Sequence, residues 1–227
     1  MMRRCIPTET TLKALCIALF VLCLVPTQGL PSGGNAGATV VYLEGTLTMD
    51  GKPLKTGSAI QDGSILKTAA DSRAEIMFSG KNIIRMGSST SMRVYLKDLQ
   101  RSMQIENGTV TAVFRKLDKA VGGGMKVTTP SVIAGVRGTI FCVWVSGTSK
   151  ETYFCTCNGR IEFAPGGTKP EIVKEARHHE AMLFTGTGDG ASASVPDAEY
   201  NPRHTDSDLE SLAGRIGQKM DWTNIEE

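Results

Sequence analysis

Three cysteines and a histidine pair carry most of the ligand chemistry in this sequence. Cys142 lies in GTIFCVWV, Cys155 and Cys157 in YFCTCNG, and His178 and His179 in EARHHEA. Thiolate and imidazole together are zinc ligands, and thiolates equally suit Cu(I). The stretch GTIFCVWVSGTSKETYFCTCNG reads as a hairpin, with strands Thr139 to Ser146 and Glu151 to Asn158 around the turn Gly147 to Lys150. In that register Ser146 faces Glu151 and Cys142 faces Cys155; a slide by two residues would set Cys142 opposite Cys157. Either way, and provided no bulge intervenes, alternation of side chains puts all three thiols on one face.

Three fates are open to these thiols. If Glu171 to Gly186 forms the next strand, only one of His178 and His179 can reach the thiol face, and His179 is preferred. The result is a Cys₃His set of Cys142, Cys155, Cys157 and one histidine, suited to zinc or Cu(I). Haem and iron–sulfur centres lack their C-x-x-C-H or ferredoxin spacing. Alternatively, Cys142 and Cys155 form a cross-strand disulfide with one thiol to spare. Opposed strand residues have Cα atoms roughly 4.5–5.5 Å apart, inside the disulfide range of about 4.4–6.8 Å. Thirdly, the cysteines are inert small hydrophobes in a core. The remaining mature-region histidine, His204, stands in a polar stretch and is expected to be solvated.

The elements that must hold these residues are strands. From Ala38 onward, short apolar runs are punctuated by MDGK, QDGS and SGKN, which are tight-turn signals. Strands recurring about every ten residues, without a helical period, indicate an all-β domain. A sandwich or a rolled, solenoid-like arrangement of short antiparallel strands over residues 39–185 is expected. Residues 186–206 are rich in Gly, Ser, Ala, Asp and Pro and read as a flexible linker. Over residues 207–227 a short helix is predicted, with Ser207 and Glu210 as its capping box and Leu209, Leu212, Ile216 and Met220 on one face. That stripe would dock on the β-domain or on a partner.

At the N-terminus, Arg3, Arg4 and Lys13 precede the apolar run Ala14 to Val25. This is the pattern of a secretory signal peptide, and residues 1–38 are assigned to it and its exit region. Its loss removes three basic residues of 25 and one acidic residue of 23, leaving 22 of each. A near-neutral chain without a basic patch gives no footprint for nucleic acid. No second stretch is apolar and long enough to span a bilayer, so a periplasmic or secreted product is expected. Cys5, Cys16 and Cys23 leave with the leader, and the odd number that remains points to a ligand role or a free thiol. No nucleophile elbow, phosphate loop or His-Glu-x-x-His occurs, and VGGGM lacks the following helix a phosphate cradle needs; the expectation is a non-enzyme.

One motif is family-specific. VTTPSVIAGVRGTIFCVWV carries Thr129, Pro130, Gly135, Val136, Arg137, Gly138 and Thr139 in a T-P-x5-V-R-G-T arrangement. With LEGTLTMDGKPLKTGSAIQDGSILKTAADSRAEIMFSGKNIIRMGSST before it, the text from about Tyr42 to Phe163 resembles FecR-type extracytoplasmic domains. The resemblance implies an all-β domain of the cell envelope with a protein partner. In founding members the domain passes an iron-uptake signal to a membrane-bound regulator. The sequence shows no cytoplasmic helical pattern before the apolar run and no internal membrane helix, so a stand-alone secreted member is expected. In the motif, Gly135 and Gly138 allow close backbone approach around Arg137. Arg137 is expected to be buried, locking the start of a strand, with a carboxylate clamp as the alternative.

Overall fold

Strand formation follows the turn chemistry closely. In the computed structural model, which describes residues 37–79, 81–95, 101–115, 124–167, 172–196 and 204–225, Asp50 and Gly51 both take left-handed backbone, at φ 50° and 80°. That is the hairpin turn an Asp-Gly pair favours. The strands are β1 (Ala38–Glu44), β2 (Leu47–Met49), β3 (Lys52–Pro53), β4 (Ala59–Ile60), β5 (Ile65–Thr68), β6 (Arg73–Phe78), β7 (Asn82–Met86) and β8 (Ser91–Tyr95). They continue with β9 (Arg101–Phe114), β10 (Met125–Thr128), β11 (Val132–Val136), β12 (Ile140–Val145), β13 (Thr152–Pro165), β14 (Ile172–Ala176), β15 (Glu180–Thr185) and β16 (Ser192–Ser194). One helix, α1 (Asp206–Gly214), follows. The fold is all-β with a short C-terminal helix.

Two sheets share two long strands. The first runs β4-β1-β6-β7-β9-β12-β13-β15-β16. The second runs β3-β2-β5-β8-β9-β10-β11-β13-β14. The two 14-residue strands β9 and β13 cross from one sheet to the other, and glycine marks both crossings. Gly108 sits at φ 92° and Gly159 at φ 116°. The strands are therefore not all short, and β9 pairs with β10 in parallel, a departure from the antiparallel pattern expected.

The crossing at Gly108 tolerates no side chain. A Cβ there would stand 2.4 Å from the Thr90 Cα, so backbone would have to move. Gly108→Ala should destabilise the domain by at least ~2 kcal/mol, since left-handed strain alone costs about 1–3 kcal/mol. Urea unfolding would measure it.

Between the sheets lies the main core. Six of the seven phenylalanines form one continuous run of ring contacts, Phe78–Phe114–Phe141–Phe154–Phe163–Phe184, with neighbouring centroids 5.0 to 5.5 Å apart. Rings at this spacing add edge and stacking attraction to their burial. A second apolar cluster occupies the opposite face of the first sheet. There Ile83, Val113, Ile140, Cys142, Cys155 and Cys157 lie beneath Leu209, Leu212 and Ala213 of α1. The helix thus docks on its own β-domain. Its capping box is Thr205 with Asp208, two residues earlier than the predicted Ser207 and Glu210.

The family motif builds the corner beside this second cluster. Thr129 and Val132 close the β10–β11 turn, and the Ser131, Thr152 and Thr129 hydroxyls form a buried chain at 2.7 and 2.9 Å. Gly138 turns the chain at φ 59°, carrying it from β11 in one sheet to β12 in the other. The Thr139 hydroxyl then donates to the Arg160 carbonyl at 3.0 Å, and Thr139 packs against Gly159. Arg137, expected to be buried, is exposed. Residues alternate inward and outward across this corner, and the inward places go to Val136 and Gly138.

The stretch 186–206 is in part tied down. β16 extends the first sheet by pairing with β15, and His204 and Thr205 lead into the helix. Residues 197–203 and the predicted signal peptide up to residue 36 lie outside the described residues. Among the described residues, no helix is long and apolar enough to cross a membrane.

Candidate metal centre

The predicted hairpin register is the one observed. Cys142 pairs with Cys155, Val143 with Phe154 and Trp144 with Tyr153, because the loop spans the four residues after Ser146, whose N–H donates to the Glu151 carbonyl. A bulge does intervene one step further on, where Phe141 pairs with Thr156 and Ile140 with Asn158. Cys157 falls in that bulge. It still stands on the thiol face, with its Sγ 3.7 Å from the Cys155 Sγ. All three thiols are buried and free.

The histidines arrive differently from expectation. Residues 172–185 are two strands, and Arg177–His179 turn between them, with His179 in left-handed backbone at φ 47°. Both β14 and β15 pair with β13, at successive stretches of it, so this turn lies over the bulge. The His179 N–H donates to the Cys157 carbonyl at 3.1 Å. Asn158, fully buried, presents its amide nitrogen to the Arg177, Asp221 and Asn224 carbonyls at 3.0, 3.2 and 2.8 Å. Strand alternation therefore does not sort the histidines. His179 Nδ1 lies 3.5 Å from the Cys155 Sγ, while His178 Nε2 lies 3.0 Å from Asp206 Oδ2 and packs on Trp222.

A further donor comes from His204, which is expected in solvent from its polar surroundings. It is buried, 7 % exposed, with Nε2 3.3 Å from the Cys157 Sγ and 3.1 Å from His179 Nδ1. Its one local signal was position, immediately before a Thr that caps a helix.

Cys155, Cys157, His179 and His204 thus bring two sulfurs and two nitrogens together, all within 4.8 Å of one another. Zinc binds at about 2.3 Å from sulfur and about 2.0–2.1 Å from nitrogen, so its tetrahedron has S–S, S–N and N–N edges of roughly 3.8, 3.6 and 3.3 Å. The corresponding separations here are 3.7 Å for S–S, 3.5 and 3.3 Å for two S–N pairs, and 3.1 Å for N–N. Asp206 Oδ1 lies 2.6 Å from His179 Nε2, the carboxylate–histidine arrangement that orients a metal-binding imidazole. Cys142 stays outside the four. It accepts a hydrogen bond from the Thr111 hydroxyl at 3.6 Å.

Electrostatics separate the two thiols of β13. Cys155 is held down at about 3, first by the hydrogen bond from the Cys157 thiol and then by His179 and His204, against the effect of burial. Burial pushes Cys157 well up, and the neighbouring Cys155 adds to this. For His204, burial favours the neutral ring, but hydrogen bonds to Cys142 and Cys155 outweigh it and raise the imidazole to about 10. Asp206 is held below the ordinary carboxylate range by His179 and then His178. A cation bound by these atoms would displace the protons they carry.

No curated protein matches this sequence. Two crystal structures of a candidate anti-sigma factor from Parabacteroides distasonis ATCC 8503 are similar, at 14 % identity and a TM-score of 0.45. The likeness covers 59 % of this chain and 60 % of that one. Residues 64–162, which include the V-R-G-T corner and both cysteines of β13, match the family described as FecR protein. Over that stretch the chain is similar to FecR-type domains.

Proposed function

We propose that this chain is an exported, non-enzymatic sensing module of the cell envelope, which holds one zinc ion through Cys155, Cys157, His179 and His204 and reports its occupancy to a protein partner. FecR-type domains are regulatory, which supports the module and the partner. The observation that carries the metal is the convergence of two thiols and two imidazoles at zinc-sized spacing, from β13, the β14–β15 turn and the residue before the helix cap. Cu(I) would use the two sulfurs and leave the nitrogens in excess.

Titration of the reduced full chain with zinc sulfate against a colorimetric chelator tests this. One equivalent should bind, and iodoacetamide labelling of Cys155 and Cys157 should fall as it does. The Cys155→Ser, Cys157→Ser double variant should retain none. A reduced, folded chain that takes up no zinc would exclude the reading.

The Cys142–Cys155 pairing favours a second reading, an interaction domain stapled by a cross-strand disulfide. A reductant would then lower the unfolding temperature and a chelator would leave it unchanged. The two readings compete for one atom, since Cys155 cannot serve the metal and the disulfide at once.

A further inference from the structure

The zinc donors do not all belong to the β-domain's sheets. Cys155, Cys157 and His179 are set by β13 and the turn above it, whereas His204 leads directly into α1. Asp206, the first helical residue, takes up the far nitrogen of His179. The start of the helix is therefore joined to the cluster twice, once by a donor and once by the carboxylate behind another donor. Further along the same segment, Trp222 lies against both rings of the turn, 4.9 Å from His178 and 5.3 Å from His179. Asn158, next to Cys157, binds the carbonyls of Asp221 and Asn224.

Apart from the cluster, the segment is held by apolar burial, which Ile216, Met220 and Trp222 extend, and by two arginines. The helix has nine residues, too few to be stable alone in water. It buries Leu209, Leu212 and Ala213 over Ile83, Val113 and Ile140. Arg85 donates to the Asp208 carbonyl at 3.1 Å, and Arg215 reaches Glu75 at 3.0 Å. Any ion that needs His204 for its fourth ligand must find the segment docked. By linkage, an ion bound only in the docked state stabilises docking by the same factor.

We infer that the ion is a clasp: zinc binding fastens residues 204–225 onto the outer face of the first sheet, and its loss frees the helix and uncovers the Ile83–Val113–Ile140 face. This rests on the zinc reading of the site and adds how occupancy becomes a change of surface. The helix covers an apolar patch, and the cluster sits at its N-terminal end.

Hydrogen exchange of the full chain tests it, with zinc sulfate added in excess or removed by chelator, and zinc uptake measured on the same samples. Amides of residues 206–214 should exchange roughly tenfold or more slowly with zinc, while the β9 and β12 amides of the main core change far less. In His204→Ala the zinc-dependent slowing of the helix should shrink severalfold, because only the His179–Asp206 link remains while Cys155, Cys157 and His179 retain weaker binding. Leu212→Ala, which loosens the helix without touching a donor, should weaken zinc affinity and keep the slowing. One equivalent of zinc bound with unchanged helix exchange would overturn the clasp and leave the site standing. No zinc bound would overturn both.

Discussion

Saturating zinc should raise the unfolding temperature of the reduced chain by roughly 5–11 °C, and a chelator should reverse it. A ligand that binds only the folded state at a hundred times its Kd stabilises by about 2.7 kcal/mol. For a chain of this size each kcal/mol is worth roughly 2–4 °C. The four donors span residues 155 to 204, so an unfolded chain has no preformed site to compete. Differential scanning calorimetry would read the shift. It should disappear in the Cys155→Ser, Cys157→Ser variant and persist in Cys142→Ser, because Cys142 lies outside the four-donor set. Loss of the shift in Cys142→Ser with retention in His204→Ala would mean that the Cys₃His set expected from strand alternation is the true one.

Arg85→Ala should cost about 3–5 kcal/mol, the range for leaving a buried charge without its partner. Glu75 is buried, its side chain 2 % exposed, and Arg85 meets it at 3.0 Å through a side chain that is itself only 10 % exposed. Arg215 is a poor substitute. It approaches Glu75 Oε2 at 3.0 Å, yet that oxygen accepts no hydrogen bond. Arg85 also ties the sheet to the helix at the Asp208 carbonyl, so part of the loss should appear as fraying of α1. Replacing both partners, with Glu75→Leu and Arg85→Met, should recover most of the stability, since apolar substitutes for a buried pair are often neutral or better. Chemical denaturation of the single and double variants would decide. A loss below about 1 kcal/mol in the single variant would show that Arg215 or water compensates the Glu75 charge.

The hairpin and its thiols were legible because both rest on short-range rules. An even-length loop fixes the register, and period-two alternation fixes the face. Cys142 accordingly stands opposite Cys155. The V-R-G-T text located the corner next to the site, although it did not show that Arg137 would face outward, since the alternation there depends on which sheet each residue joins. The histidines were harder. Arg177-His178-His179 holds no Gly, Asn or Asp, the usual residues of a tight turn, so nothing local announced a turn in what looked like one strand. His204 was out of reach altogether. It meets Cys157 across 47 positions of sequence, and the polar composition around it described the linker rather than the contact. The helix itself is legible, but its start is ambiguous by two residues, because Thr205-x-x-Asp208 and Ser207-x-x-Glu210 both satisfy the same capping pattern.

X-ray absorption at the zinc edge of the reduced full chain, loaded with one equivalent, is the most direct measurement of the central claim. Two sulfurs at about 2.3 Å and two nitrogens at about 2.0–2.1 Å are expected, with one nitrogen lost in His204→Ala. Three sulfurs, or a zinc shell of oxygen alone, would contradict the Cys155–Cys157–His179–His204 centre.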